Sequence, residues 1–309
     1  MIKNRTVLIL GAGASKPYGF PLGQELRDEV IRAIRRKNQN PWASLANLLA
    51  YSSMFGNLGI PERDYSKFAR DLAESGFPSV DAFLENRDKW LEIGKAAMAL
   101  CLLRTEARAK MKLFPPDQPR DHWYECLWEK LRAPSWEAFK KNPISIVTFN
   151  YERSLEHYLV RLVCNNYRLF PDEVANALPI VHVHGSLGRY TRQPFGDEIS
   201  LVKLRLAASS IRVVHEQATE RTLFPRARSL IRRAKVVLFI GFGYHEQNMA
   251  KLGTLTTRDR PPTTAAVLGT HKGIKAQAWE AICSRYHFSS RADREGGGTI
   301  SEFVTRNLW

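Results

Sequence analysis

Residues 6–20 read TVLILGAGASKPYGF, and the first ten of them decide the fold class. Thr6–Leu10 is a short β-branched and aliphatic run with no polar break, the pattern of a strand buried on both faces in a parallel sheet. It stops at Gly11-Ala12-Gly13-Ala14-Ser15, where glycine lets the backbone turn sharply or come close to another group. Beyond the turn, Leu22, Leu26, Val30, Ile31 and Ile34 recur at helical spacing, with Arg27, Asp28, Arg32 and Arg35 on the opposite face. Strand, glycine turn and amphipathic helix make one βα unit.

The same grammar returns four times further along. Ile144–Thr148 (ISIVT) leads into a helix-patterned stretch over residues 154–163, and residues 180–183 (IVHV) end at His184-Gly185. Val236–Ile240 (VVLFI) ends in Gly241-Phe242-Gly243, and Thr264–Leu268 precedes a helical pattern over 274–286. Strands that end in glycine turns and are separated by helices predict an α/β fold with a doubly wound, mostly parallel sheet of about five or six strands. Between the first unit and Ile144, residues 38–143 show helical periodicity interrupted at Gly76-Phe77-Pro78 and at residues 115–119 (PPDQP). This predicts a helical insertion at 38–143 in a core made of residues 1–37 and 144–309.

Composition narrows the class. The chain has 309 residues, 44% of them hydrophobic and 25% charged, within the range of folded globular proteins. Its longest apolar run, residues 96–103, is far shorter than the roughly 20 residues a membrane span needs, and the N-terminus carries no signal-like segment. A cytoplasmic location is expected. Cys101, Cys126, Cys164 and Cys283 are widely separated, so no pair has zinc-knuckle or redox spacing and no metal is expected. The formal charge is +15. Residues 189–235 hold eleven basic residues against four acidic ones, read either as a solvated helix face or as a surface, lying mainly on one face, for contact with an anionic partner or neighbouring protomers.

Each motif falls at a strand end, where open α/β sheets gather their ligands. Gly11 to Ser15 is either a phosphate-approach turn or a purely structural one, since Lys16 stands where a full dinucleotide fingerprint has its third glycine. Asn150, in Thr148-Phe149-Asn150-Tyr151-Glu152, is a capping residue or a ligand contact. His184 is a satisfied structural histidine or a base, and strand alternation would place His182 on the same side. Gly241-Phe242-Gly243-Tyr244 is a second turn of close backbone approach, leading to a polar helix start that includes Asn248.

In order, GAGAS at 11–15 with Gly19 and Pro21 after it, TFNYE at 148–152, VHGS at 183–186 and GFGY at 241–244 resemble the motifs of sirtuin-like NAD-binding domains. The resemblance implies a sirtuin-like Rossmann core and an NAD pocket. It implies that Gly11, Ala12, Gly13 and Ser15 cradle the pyrophosphate and that Asn150 faces the nicotinamide ribose. By it His184 is the base near that ribose, and Gly241, Gly243 and Asn248 border the adenosine side. Deacylating sirtuins carry two Cys-x-x-Cys pairs after the His-Gly dipeptide, and residues 185–236 contain no cysteine; the Asp-Phe-Arg that follows G-x-P in sirtuins is replaced by Leu22-Gly23-Gln24. Zinc-free domains of this kind with a helical insertion resemble bacterial anti-phage NAD hydrolases. The resemblance thus implies an NADase that depletes cellular NAD in abortive infection. It implies control by oligomerisation or by a defence partner such as a HerA-like ATPase, an Argonaute or a nucleotide-sensing subunit, through which nucleic acid can be contacted. The alternatives are an NAD-dependent protein deacylase and a non-catalytic nucleotide or nucleic-acid binding module.

Overall fold

The computed structural model describes residues 1–35, 62–213, 217–253, 264–268, 290–292 and 299–308. The helical pattern at 274–286 and the first part of the insertion, 38–61, lie outside the described residues. Among the described residues six strands, β1 (Thr6–Leu10), β2 (Ile144–Thr148), β3 (Ile180–His182), β4 (Val236–Ile240), β5 (Thr264–Leu268) and β6 (Ser290–Ala292), form one sheet in the order β3-β2-β1-β4-β5-β6. Every pairing is parallel, in a register that sets Thr6 beside Ile144 and Val236. The chain therefore moves outward from β1 through β2 to β3, then crosses back to β4 on the other side of β1. This is the strand order of dinucleotide-binding sheets, and its topological switch point lies between β1 and β4.

Alternation along the strands supplies two cores. Val7, Ile9, Val147, Val237 and Phe239 face one way and pack with Phe224, Ala227 and Ile231. Leu8, Leu10, Ile146, Leu238 and Ile240 face the other way, into a larger cluster. Both faces are covered, so the strands read as continuous apolar runs rather than as alternating ones.

The helices are α1 (Gly23–Arg35), α2 (Glu62–Glu74), α3 (Val80–Leu84), α4 (Leu91–Lys112), α5 (Trp123–Leu131), α6 (Trp136–Lys140), α7 (Ser154–Tyr167), α8 (Pro171–Ala177), α9 (Leu201–Ser210), α10 (Gln217–Arg233), α11 (Glu246–Leu252) and α12 (Ile300–Asn307). Ser79 caps α3 by accepting from the Ala82 N–H, as its position before an apolar run predicts. The described residues of the insertion, α2 to α6, do not build a core of their own: Phe68, Met98, Leu100, Trp123 and Leu127 join Leu8 and Leu10 in the larger cluster. At its centre α4 is apolar nearly all round, the pattern of a helix enclosed on every side. Its one fully buried carboxylate, Glu106, meets Arg153 from the start of α7 with Nη2 2.7 Å from Oε2 and both side chains out of solvent. The remaining guanidinium hydrogens reach the Gln193 and Gly188 carbonyls, so the pair clamps α4, the β2–α7 loop and the 188–193 loop together. No described helix is long and apolar enough to cross a membrane.

The basic stretch is divided by this architecture. Helix α9 packs through Leu204, Ala207 and Ala208 into the larger cluster, whereas α10 packs through Phe224, Ala227 and Ile231 on the opposite side of the sheet. Lys203 is buried and donates to the Pro194 and Asp197 carbonyls. The expectation of one basic face over 189–235 is corrected accordingly: apolar positions of two helices were drawn to two different cores.

Candidate active site at the strand ends

At the switch point the loops after β1 and β4 lock together. Gly11 N–H donates to the Ile240 carbonyl at 3.0 Å and Gly13 N–H to the Gly241 carbonyl at 2.9 Å. A Cβ on Gly11 would lie 2.5 Å from the Gly241 oxygen, and one on Gly13 2.7 Å from the Gly241 Cα. Gly241 itself has φ +58, and a Cβ there would fall inside the Ala14 backbone. All three glycines are thus required by one another, with or without a ligand. Residues Ala12–Tyr18 form a 3₁₀ helix with Pro17 inside, rather than the first turn of an α-helix, and the Ala14 N–H bonds back to the Gly11 carbonyl. Three N–H groups of the loop are already engaged. Of the two readings of Gly11 to Ser15, the structural turn accounts for these bonds, and the 3₁₀ helix ends at Gly19 before α1 begins.

Asn150 follows β2 and faces this loop. Its Nδ2 donates to the Gly11 carbonyl at 3.0 Å and lies 3.4 Å from Ser15 Oγ, while its backbone N–H reaches Thr148 Oγ1. The amide joins the ends of β1 and β2. Ser15 is buried and its hydroxyl donates to the Ala12 carbonyl. Glu152 turns inward to accept from the Ser154 N–H at 2.6 Å, serving the start of α7, and burial raises its pKa.

His184 stands apart from His182. Because β3 ends at His182, strand alternation does not continue to His184, and the expectation that the two share a side is corrected. His182 lies against Asn150 and Glu156. His184 is enclosed by Phe149, Phe224 and Tyr151, with ring centroids at 5.4, 5.6 and 6.4 Å. Asn248 on α11 neighbours the imidazole and favours its charged form, whereas Lys251, one turn on, adds an opposing positive charge. Burial, then that charge, push the His184 pKa down to about 4, so the ring is neutral at pH 7. Asn248, expected on the adenosine side, is here the partner of His184. Gly243 is exposed at the rim, where a Cβ would meet only the His245 ring at 3.1 Å.

Helix α3 of the insertion closes over this group. Tyr151 Oη donates to Asp81, whose carboxyl pKa is raised by burial, and Gln247 on α11 donates to Glu85 at 2.9 Å. Helix α5 holds the glycine loop from below: Trp123 Nε1 donates to the Ala14 carbonyl at 2.7 Å, and Tyr18 Oη bonds His122 Nδ1 and the Tyr124 N–H. Sequence reading missed Tyr151, Phe224 and Lys251. For Lys251 a signal existed, since it follows Asn248 by three residues on one helix.

Among the described residues no group of three or more His, Cys, Asp or Glu side chains is placed to hold a metal ion. No model of a known protein family matches the chain, and no curated protein matches it either. The residues themselves carry the functional argument.

Proposed function

We propose that the chain is an NAD glycohydrolase, cleaving the nicotinamide–ribose bond to give nicotinamide and ADP-ribose. The observation that carries this reading is a His184 enclosed by Phe149, Phe224 and Tyr151 after β3, two strands over from β1, whose glycine loop meets that of β4 at the switch point of a dinucleotide-type sheet. The motif resemblance adds the identity of the ligand, and Asn150 at the neighbouring strand end adds the second polar group.

The chemistry asks little of the base. As the bond to the neutral leaving group nicotinamide lengthens, the ribose becomes oxocarbenium-like. A water attacking that centre grows acidic as its oxygen bonds to carbon, so a neutral imidazole of low basicity can accept the proton. The products are nicotinamide, ADP-ribose and one proton. The aromatic walls around His184 exclude bulk water, and Asn150, tied to Gly11, fixes the loop that faces the ribose. Asp81, Tyr151, Glu85 and Gln247 make α3 a cover over the same strand ends. In the cell such activity calls for control, and we read the protein as a cytoplasmic defence enzyme governed by self-association or by a partner of the ATPase, Argonaute or nucleotide-sensing kind. The protein-deacylase alternative gains no support from residues 185–236, which contain no cysteine.

The test is incubation of purified protein with NAD, with and without candidate activators, reading nicotinamide and ADP-ribose. His184→Ala and Asn150→Ala should each lower turnover about 10²–10⁴-fold. His184→Ala should do so without loss of folded protein, whereas Asn150→Ala should also lower the melting temperature by stranding the Gly11 carbonyl. Wild-type turnover in both variants would overturn the roles given to His184 and Asn150, and no NAD cleavage by the wild type under any activating condition would overturn the reading in favour of a nucleotide-binding module.

A further inference from the structure

Beneath the loop that carries Asn150 lies a histidine that the proposed reaction does not use. His182 ends β3 with its Nδ1 3.0 Å from the Asn150 carbonyl oxygen. A carbonyl oxygen only accepts, so the proton between them belongs to Nδ1. In a neutral imidazole this leaves Nε2 a bare acceptor. Nε2 is buried with no hydrogen-bond partner among the described residues, and Glu156 Oε2 stands 3.7 Å from it. Two acceptors facing each other at that distance repel, whereas a proton on Nε2 turns the same geometry into an ion pair. Both side chains are only 15% exposed, beside a cavity of about 10 Å³ lined by His182, Glu156, Glu152, Arg153, Tyr124 and Thr148.

We propose that Glu156 holds His182 as an imidazolium and that, in this form, His182 is the positioning residue that fixes the Asn150 loop against Gly11. The contacts run in series: His182 Nδ1 to the Asn150 carbonyl, the Asn150 N–H to Thr148 Oγ1, and the Asn150 amide to the Gly11 carbonyl. The charged and titratable groups facing His182 come from two helices and the loop between β2 and α7. Glu156 lies on α7, Glu152 accepts from Ser154, Arg153 is neutralised by Glu106 on α4, and Tyr124 on α5 bonds Ser154 Oγ. Burial alone would lower the His182 pKa, but Glu156, then the Asn150 carbonyl and Glu152, carry it above 6.5. The ion pair with Glu156 is therefore complete below pH 6.5 and is lost as pH rises through the raised folded pKa, while Nδ1 keeps its proton and gives the Asn150 carbonyl a weaker, uncharged donor.

The activity arm of the test rests on the NAD-hydrolase reading; the spectroscopic arm does not. In ¹⁵N-histidine spectra of the full chain, His182 should carry protons on both ring nitrogens at pH 6.5 and titrate above that value. Glu156→Gln, which keeps the side-chain shape, should lower its pKa by about 1–3 pH units. The alkaline limb of NAD cleavage should move down by the same amount. A His182 pKa at or below 6.5, a pKa indifferent to Glu156→Gln, or an alkaline limb that stays in place while the pKa moves would each overturn the proposal. If the protein cleaves no NAD under any condition, the function reading fails while the titration still decides the state of His182; turnover with a neutral His182 has the opposite meaning.

Discussion

Acidification tests the environment of His184 without reference to any substrate. The residue is 5% exposed, and its pKa falls from 6.5 to about 4 on folding. Between those values the unfolded chain binds a proton that the folded protein does not, so stability rises with pH across the window and is lost as pH falls. At about 1.4 kcal/mol per pH unit, His184 withdraws about 2 kcal/mol between pH 6.5 and 5, and about 3 kcal/mol by pH 4. Denaturant unfolding of wild type and His184→Gln at pH 7 and pH 5 isolates the contribution, because the carboxylates and His157, whose pKa burial lowers to about 3, are common to both proteins. The variant should lose about 2 kcal/mol less than wild type over that interval. Lys251→Met should raise the His184 pKa measured by proton NMR, since it removes the second cause of the depression. Equal pH slopes in the two proteins, or a His184 resonance that titrates near 6.5, would refute the enclosed neutral imidazole and with it the proposed base.

Three further outcomes follow from the packing. Glu106→Ala leaves the Arg153 guanidinium buried without its partner and should destabilise by about 3–5 kcal/mol, whereas Glu106→Leu with Arg153→Met should recover most of that; a double variant no better than the single one would contradict the assignment, read by guanidinium denaturation. Gly241→Ala should fail to fold or lose several kcal/mol because its Cβ meets the Ala14 backbone at positive φ, while Gly243→Ala should melt within a few degrees of wild type; thermal scans giving equal losses would contradict this. Trp123→Phe removes the donor to the Ala14 carbonyl and should cost about 1–3 kcal/mol, shown by a lower denaturant midpoint with an unchanged slope.

The strands were legible because a parallel strand covered on both faces needs a near-continuous apolar run, which β4 shows throughout, β1 from Val7 onward and β2 with only Ser145 breaking it before Thr148. The end of β3 was not, since residues 180–183 read as strand throughout and only the turn at Gly185, with φ +73, separates His184 from the alternation that orients His182. Contacts that define the site are distant in sequence: Trp123 and Ala14 are 109 residues apart, Tyr151 and Asp81 are 70, and Arg153 and Glu106 are 47. No periodicity encodes such pairs, because each depends on how α3, α4 and α5 fold back over the sheet. The division of the basic stretch escaped for the same reason, as α9 and α10 are adjacent in sequence yet serve opposite cores. The glycine motifs teach a different lesson. Gly11, Gly13 and Gly241 exclude one another's side chains, so GAGAS and GFGY are two halves of a single backbone crossing at the switch point. A likeness in those motifs therefore speaks first for the crossing and the fold that requires it, and the ligand has to be argued from the groups the crossing leaves to others: the amide of Asn150 and the imidazole of His184.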